Sequence, residues 1–147
     1  MIRLATSTDT KAVRDVVFAA YRPYIPRIGR EPGPMLDDYA CRIAAGQVWV
    51  LEEQDRIAGV LVLEEQTDSF LLDNIAVPPD CQGKGYGRLL IGFAEAEATR
   101  RGWHAITLYT HALMTENQVL YRHLGFNETR RISEKGFDRV YMTKPLG

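Results

Sequence analysis

The chain's 147 residues fit one domain of the commonest size, and 46% hydrophobic with 25% charged residues provides for a core rather than a disordered polymer. With 18 Lys and Arg against 19 Asp and Glu, the formal charge of -1 lacks the basic excess of a dedicated nucleic-acid binder, so no nucleic-acid partner is expected. Two cysteines, Cys41 and Cys81, exclude a disulfide framework.

No apolar run approaches the ~20 residues of a membrane span, and Met1–Asp9 has no apolar stretch of the signal-peptide kind. A single cytoplasmic domain over 1–147, with no membrane association, is therefore expected. Ile2–Leu4 reads as a short strand. The capping residues of Thr6–Thr10 precede a helix over Ala12–Ala20, with Val13, Val16, Val17 and Ala20 on one face. Tyr21–Pro34 contains Pro23, Pro26, Pro32, Pro34, Gly29 and Gly33, so no regular helix runs through it. Helical spacing resumes over Leu36–Ala45 and stops at Gly46. Gln47–Glu52, Ile57–Glu64 and Phe70–Val77 read as an antiparallel meander, its second strand apolar enough for burial on both faces.

A helix over Tyr86–Arg101 follows, with Leu89, Leu90, Phe93, Ala96 and Ala98 predicted inside and Glu95, Glu97 and Arg100 outside. Trp103–Thr110 is a strand and Thr115–Leu124 a short helix closed by Gly125. Phe126–Ile132 and Arg139–Thr143 are closing strands around a Lys135-Gly136 turn. The order predicts an α/β fold: a mixed, mostly antiparallel central sheet of about seven strands flanked by about four helices. The strand–helix–strand unit over 70–110 is expected to be a right-handed crossover between parallel strands.

The strongest chemical signal is Gln82-Gly83-Lys84-Gly85-Tyr86-Gly87-Arg88, between a strand and an amphipathic helix. Glycines permit positive φ and close backbone approach, so successive N–H groups can converge on an anion at a helix N-terminus. Lys84 and Arg88 add full charges. The loop is neither a dinucleotide fingerprint nor a Walker A motif: from Gly83 the last fingerprint position is Arg88, and Gly83-Lys84 is followed by Gly85. On its own it reads equally as a plain strand-to-helix turn. The second signal is Asn117 and Tyr121, four apart and so on one helical face. An amide and a phenol there suit an amide-containing ligand and a proton donor, although a cap and a packing tyrosine have the same spacing.

Val77-Pro78-Pro79-Asp80-Cys81-Gln82-Gly83-Lys84-Gly85-Tyr86-Gly87-Arg88, followed by Asn117 to Phe126, resembles the GNAT N-acetyltransferase superfamily. The first stretch is similar to its Gln/Arg-x-x-Gly-x-Gly signature, the second to its Asn…Tyr…Gly-Phe pattern. The resemblance implies acetyl-CoA as co-substrate, with its pantetheine arm between two splayed parallel strands. It implies that the backbone of Ile75, Ala76 and Val77 pairs with that arm and that Gln82, Gly83, Lys84, Gly85, Tyr86, Gly87 and Arg88 cradle the pyrophosphate. Asn117 would bond the arm, and Tyr121 would face the thioester sulfur as the catalytic acid.

The implied reaction is attack of a neutral primary amine of a small molecule, amino acid or peptide on the thioester. Asp73 on the cofactor strand is the candidate catalytic base, with His111 behind it. No metal is expected: His104 and His123 have no ligand spacing with each other or with Cys41. Cys81 lacks partners for a nucleophile's role. The acceptor is expected to meet Tyr21, Tyr24, Arg27, Arg30 and Tyr39, the arginines being able to hold a carboxylate; a proline-stiffened surface loop is the other reading. A non-catalytic acyl-CoA sensor on the same fold, and a protein N-terminal or lysine acetyltransferase, are the alternatives. Relatives of this fold also pair through their sheets, which leaves monomer and homodimer both open.

Overall fold

The computed structural model describes residues 1–147. Its elements are β1 (Ile2–Leu4), α1 (Thr10–Tyr21), a one-turn α2 (Ile25–Ile28), α3 (Tyr39–Ala44), β2 (Val48–Glu53), β3 (Arg56–Glu65), β4 (Phe70–Ala76), α4 (Tyr86–Arg100), β5 (Ala105–His111), α5 (Thr115–His123), β6 (Asn127–Glu134) and β7 (Phe137–Pro145). The seven strands form one sheet in the order β1-β2-β3-β4-β5-β7-β6. Only β4 and β5 are parallel, joined by the crossover through α4. No helix is long and apolar enough to cross a membrane.

The sheet is covered on both faces. Val13, Val16 and Val17 of α1 and Tyr39 and Ile43 of α3 pack with Val48, Val50, Val60 and Val62 on one side. Leu90, Ile91, Ala94 and Ala98 of α4 and Tyr121 of α5 pack with Leu61, Leu63, Phe70, Leu72, Ile106 and Leu108 on the other. The apolar run of β3 thus divides between two cores, as its composition predicts. Two helices differ from expectation. The buried face of α4 is Leu90, Ile91, Ala94, Glu97 and Ala98, while Leu89 is 54% exposed. Glu97 can turn inward because Arg100 and Arg101 hold its carboxylate, keeping its pKa down at about 2. The third helix starts at Tyr39, not Leu36, because the Asp38 side chain caps it by accepting the Cys41 N–H.

The proline segment is less irregular than its composition suggests. It folds as a 3-10 turn at Arg22–Tyr24, the α2 turn and another 3-10 turn at Gly33–Leu36, each with a proline in its first turn. There the missing N–H costs nothing.

A register slip positions everything that follows. Val62 stands opposite Asn74, but Leu63 stands opposite Leu72, which leaves Asp73 as an extra residue in β4. Such a bulge bends a strand and inverts its alternation. Accordingly Phe70 and Leu72 face the α4 core, whereas Ala76 faces the α1 core.

Close packing of α4 on β3 depends on Gly59, where a Cβ would stand 2.8 Å from Leu90 Cδ1. Gly59→Ala should cost about 1–3 kcal/mol in urea unfolding, part of it recovered by adding Leu90→Val. An unchanged midpoint in the single variant would show that α4 relaxes freely.

Candidate active site

β4 and β5 pair only at Leu71–Thr107 and Leu72–Leu108, although β5 remains paired with β7 along its whole length. Beyond the bulge the two strands separate, and two cavities meet in the opening. One, of about 1220 Å³, runs from Ile75 and Val77 along the Gln82–Arg88 loop to α5. The other, of about 520 Å³, lies between Asp73, Tyr109, Thr110, His111, Pro32–Pro34, Phe137 and Arg139. Tyr21, Ile75, Met114, Asn117 and Tyr121 line both.

The free edge of β4 can be read from its side-chain partners. The Tyr21 hydroxyl donates to Asn74 Oδ1 at 2.6 Å and lies 3.2 Å from the Ile75 carbonyl. Gln82 Nε2 donates to the Val77 carbonyl at 3.1 Å. Both carbonyls therefore face the opening. A strand residue directs its N–H and C=O to the same side, so the N–H groups of Ile75 and Val77 face it as well. Ala76 stands opposite Val60 and turns its backbone groups toward β3. Ala76 nevertheless lines the larger cavity together with Ile75 and Val77.

The glycine loop has the geometry of an anion cradle. Gly83 and Gly85 adopt φ of 82° and 81°, with Gly85 capping the 15-residue α4. A Cβ at Gly83, Gly85 or Gly87 would meet nothing within 4 Å, so the cradle is open. Only the first two glycines are needed for conformation; Gly87 is helical. Lys84 and Arg88 are exposed beside it. The one nearby carboxylate, Asp80, is paired with Arg56 at 2.9 Å, so it does not oppose an incoming anion.

On α5, Asn117 and Tyr121 share the face that looks into both cavities. Neither the Asn117 carboxamide nor the Tyr121 hydroxyl bonds to the protein, and the cap position belongs to Met114. Tyr121 packs edge-on against Phe126, and burial pushes its pKa well up, which keeps the phenol protonated. Gln118, one position on from Asn117 and buried, donates to the His111 and Ala112 carbonyls and so fixes the start of α5 to the end of β5.

Asp73 lies at the boundary of the smaller cavity. Its Oδ1 accepts from the Tyr109 hydroxyl at 2.9 Å, and its Oδ2 is 3.3 Å from Arg42 Nη2. Burial raises its pKa, and Arg42 and Tyr109 offset only part of that rise. Arg42 is committed elsewhere too, to Asp37, Gln47 and Glu64. His111 accepts the Leu113 N–H at Nδ1, and burial lowers its pKa.

Of the five residues predicted to meet the acceptor, Tyr21 lines both cavities and Tyr24 the larger. Arg27 and Arg30 line neither. Arg27 pairs with Glu116 at 2.7 Å and donates to the Leu113 carbonyl; Arg30 lies 4.2 Å over the Phe137 ring. Both tie the proline segment down rather than reach inward. Tyr39 is 1% exposed, donates to the Pro34 carbonyl and accepts from Asn74 Nδ2, so it is a core residue. Cys81 is buried in the wall of the larger cleft. Tyr109 and Arg139 were not foreseen. The only sequence sign of them is an alternation in which Leu108, Val140 and Met142 point inward and their neighbours do not.

An open sheet with one parallel pair, splayed over a glycine cradle, defines the GNAT acyltransferase architecture. The model of the Acetyltransferase (GNAT) domain family matches residues 44–128, more than half of the chain, and the chain belongs to that family. It is 37% identical over 78 residues to the [Ribosomal protein bS18]-alanine N-acetyltransferase of Salmonella typhimurium, covering 53% of each. The chain thus spans about half the length of the curated relatives it matches. Its fold is similar to the crystal structure of the ribosomal-protein-S18-alanine N-acetyltransferase from Escherichia coli (TM-score 0.76, 23% identity, 100% of this chain and 94% of that one). It is also similar to the PaiA N-acetyltransferase of Thermoplasma acidophilum, solved with coenzyme A (TM-score 0.80, 17% identity, 99% and 98% covered).

Arg42→Gln should destabilise the protein by about 1–3 kcal/mol near pH 8, since it removes the cation that half-buried Asp37, Glu64 and Asp73 share. The sign with pH follows from Asp73, whose folded pKa is already raised. Stability tied to its protonation is full at low pH and falls as pH rises through the folded value. Urea unfolding at pH 5 and pH 8 should therefore show the larger loss at pH 8. A loss independent of pH would contradict the ion-pair account.

Proposed function

We propose that the protein transfers the acetyl group of acetyl-CoA to a primary amine of a small molecule, amino acid or peptide, by direct attack on the thioester. The observation that carries this is the meeting of an anion-cradled cleft and a second pocket at Tyr21, Ile75, Met114, Asn117 and Tyr121. Such a junction suits two substrates that enter from opposite sides. The coenzyme A of the Thermoplasma neighbour and the alanine N-acetylation named for the Salmonella relative support the same reading.

When bound, acetyl-CoA supplies an acyl carbon activated by a thiolate leaving group. The residues around it have separable tasks. The loop Gln82–Arg88 holds the phosphates through backbone N–H groups, with Lys84 and Arg88 adding charge. The N–H groups of Ile75 and Val77 extend β4 to the pantetheine arm, and the unbonded carboxamide of Asn117 meets one of its amides. The Ile75 N–H also faces the carbonyl oxygen as negative charge gathers there.

Three proton movements remain. An alkylamine with pKa about 10.4 must lose a proton before it attacks. Asp73, whose burial makes it a stronger base than an ordinary aspartate, takes that proton directly or through water. As the C–N bond forms and the C–S bond breaks, Tyr121 gives its proton to the sulfur, and its phenolate takes up the second proton that the nitrogen sheds to become the amide. Its neutrality at working pH follows from burial.

Acetyl-CoA should raise the melting temperature by mass action; no shift at millimolar concentration ends the reading. Tyr121→Phe should lower kcat by about 10²–10⁴ with acetyl-CoA affinity unchanged. Equal losses in both would contradict its role as acid. Binding without thiol release from any amine would instead support an acyl-CoA sensor.

A further inference from the structure

The acetyl-transfer reading leaves the acceptor unspecified, and the smaller cavity carries chemistry that narrows it. At its far end stands Arg139, opposite His111 in the β5–β7 register. Its side chain is only 12% exposed. The guanidinium lies 4.4 Å over the Tyr109 ring and 5.8 Å over that of Phe137. The loop on its other side is Gly33, where a Cβ would stand 3.3 Å from Nη2, so the chain approaches the charge without a side chain between.

The two enclosed arginines next to this cavity differ in their state of satisfaction. Arg42 uses Nε, Nη1 and Nη2 on three carboxylates and an amide. Arg139 makes one hydrogen bond to the protein, from Nη1 to Glu134 Oε1 at 3.1 Å. Arg139 lines the cavity, and no nitrogen of it is both fully buried and without a partner. A guanidinium has five donors in a planar fork that matches a carboxylate. When a ligand displaces water from the pocket, donors left unmet are costly, and a carboxylate meets them.

We infer that the acceptor is a small amine that also carries a carboxylate, an amino acid in chemical class, with the carboxylate on Arg139. This rests on the acetyl-transfer reading. The geometry orders the two ends. Asp73, on the β4 side, attracts the ammonium near Ile75 and Tyr121, where the thioester carbon must lie. Tyr109 stands between the poles, its hydroxyl on Asp73 and its ring under Arg139. Pro32–Pro34 and Phe137 close the pocket beyond Arg139. A protein N-terminus has no carboxylate one residue from its amine, and its chain would have to leave through that wall.

The test is thiol release from acetyl-CoA with α-, β- and γ-amino acids, each compared with its own carboxamide and with peptides that begin with the same residue. The acid should be preferred at least tenfold in kcat/KM over its carboxamide for the accepted members. Arg139→Gln should raise KM for the acid at least tenfold and bring the acid-to-carboxamide ratio of kcat/KM down to about one. Arg139→Lys should restore part of it. The acid-to-carboxamide ratio of the unaltered protein decides the matter even if a variant folds poorly. Equal use of acid and carboxamide, or faster use of the peptide, overturns the inference and leaves acetyl transfer standing. No release with any amine and no acetyl-CoA binding overturns both.

Discussion

One extra residue in β4 governs this molecule. Asp73, opposite the step from Val62 to Leu63 of the neighbouring strand, follows directly on Leu71 and Leu72, where β4 pairs with β5. With it, the pairing of β4 and β5 stops after two residues, and the strand reverses which side chains it sends to which face. Asn74 then turns toward α1, and Ile75 turns its backbone to the gap. A bulge leaves groups unpaired, so it persists only where its surroundings hold it. Here Arg42 and Tyr109 hold the inserted carboxylate from opposite sides.

The same turn of the strand explains why so much buried polarity gathers on one side. Asn74 is 3% exposed and bonded at both ends of its carboxamide, accepting from Tyr21 and donating to Tyr39, which in turn donates to the Pro34 carbonyl. This chain of bonds fastens both ends of the proline segment to the bulged strand. Buried networks of this kind rigidify when every member is satisfied. The segment's outer cations serve the same end, Arg27 on Glu116 and Arg30 on the Phe137 ring. A stretch rich in aromatic and guanidinium groups therefore acts mainly as scaffold for a pocket whose only inward guanidinium comes from β7.

Charge is divided between the two cavities according to need. At the glycine loop the positive groups are exposed, and the one acidic neighbour is neutralised by Arg56, as suits an anion that arrives with its own solvation. In the smaller pocket the charges are enclosed and of both signs, with Arg42 compensating Asp73 from behind and Glu134 compensating Arg139. Enclosed charge of both signs favours a ligand that also carries both.

The sequence by itself determined the order and kind of nearly every element, because period-2 and period-3.6 patterning and glycine or proline punctuation are local properties of the chain. It also determined the cradle and the Asn117–Tyr121 face, since both are built within single contiguous segments. It misjudged the inward face of α4, because whether Glu97 turns in depends on two arginines being free to follow it. Tertiary structure alone decided the rest. No local signal marks Asp73 as an inserted residue, since a bulge exists only relative to a partner strand. Arg27, Arg30 and Arg139 are alike as letters. Which of them enters the pocket was settled by Glu116, Phe137 and Tyr109, each far away in sequence and brought near only by the folded sheet.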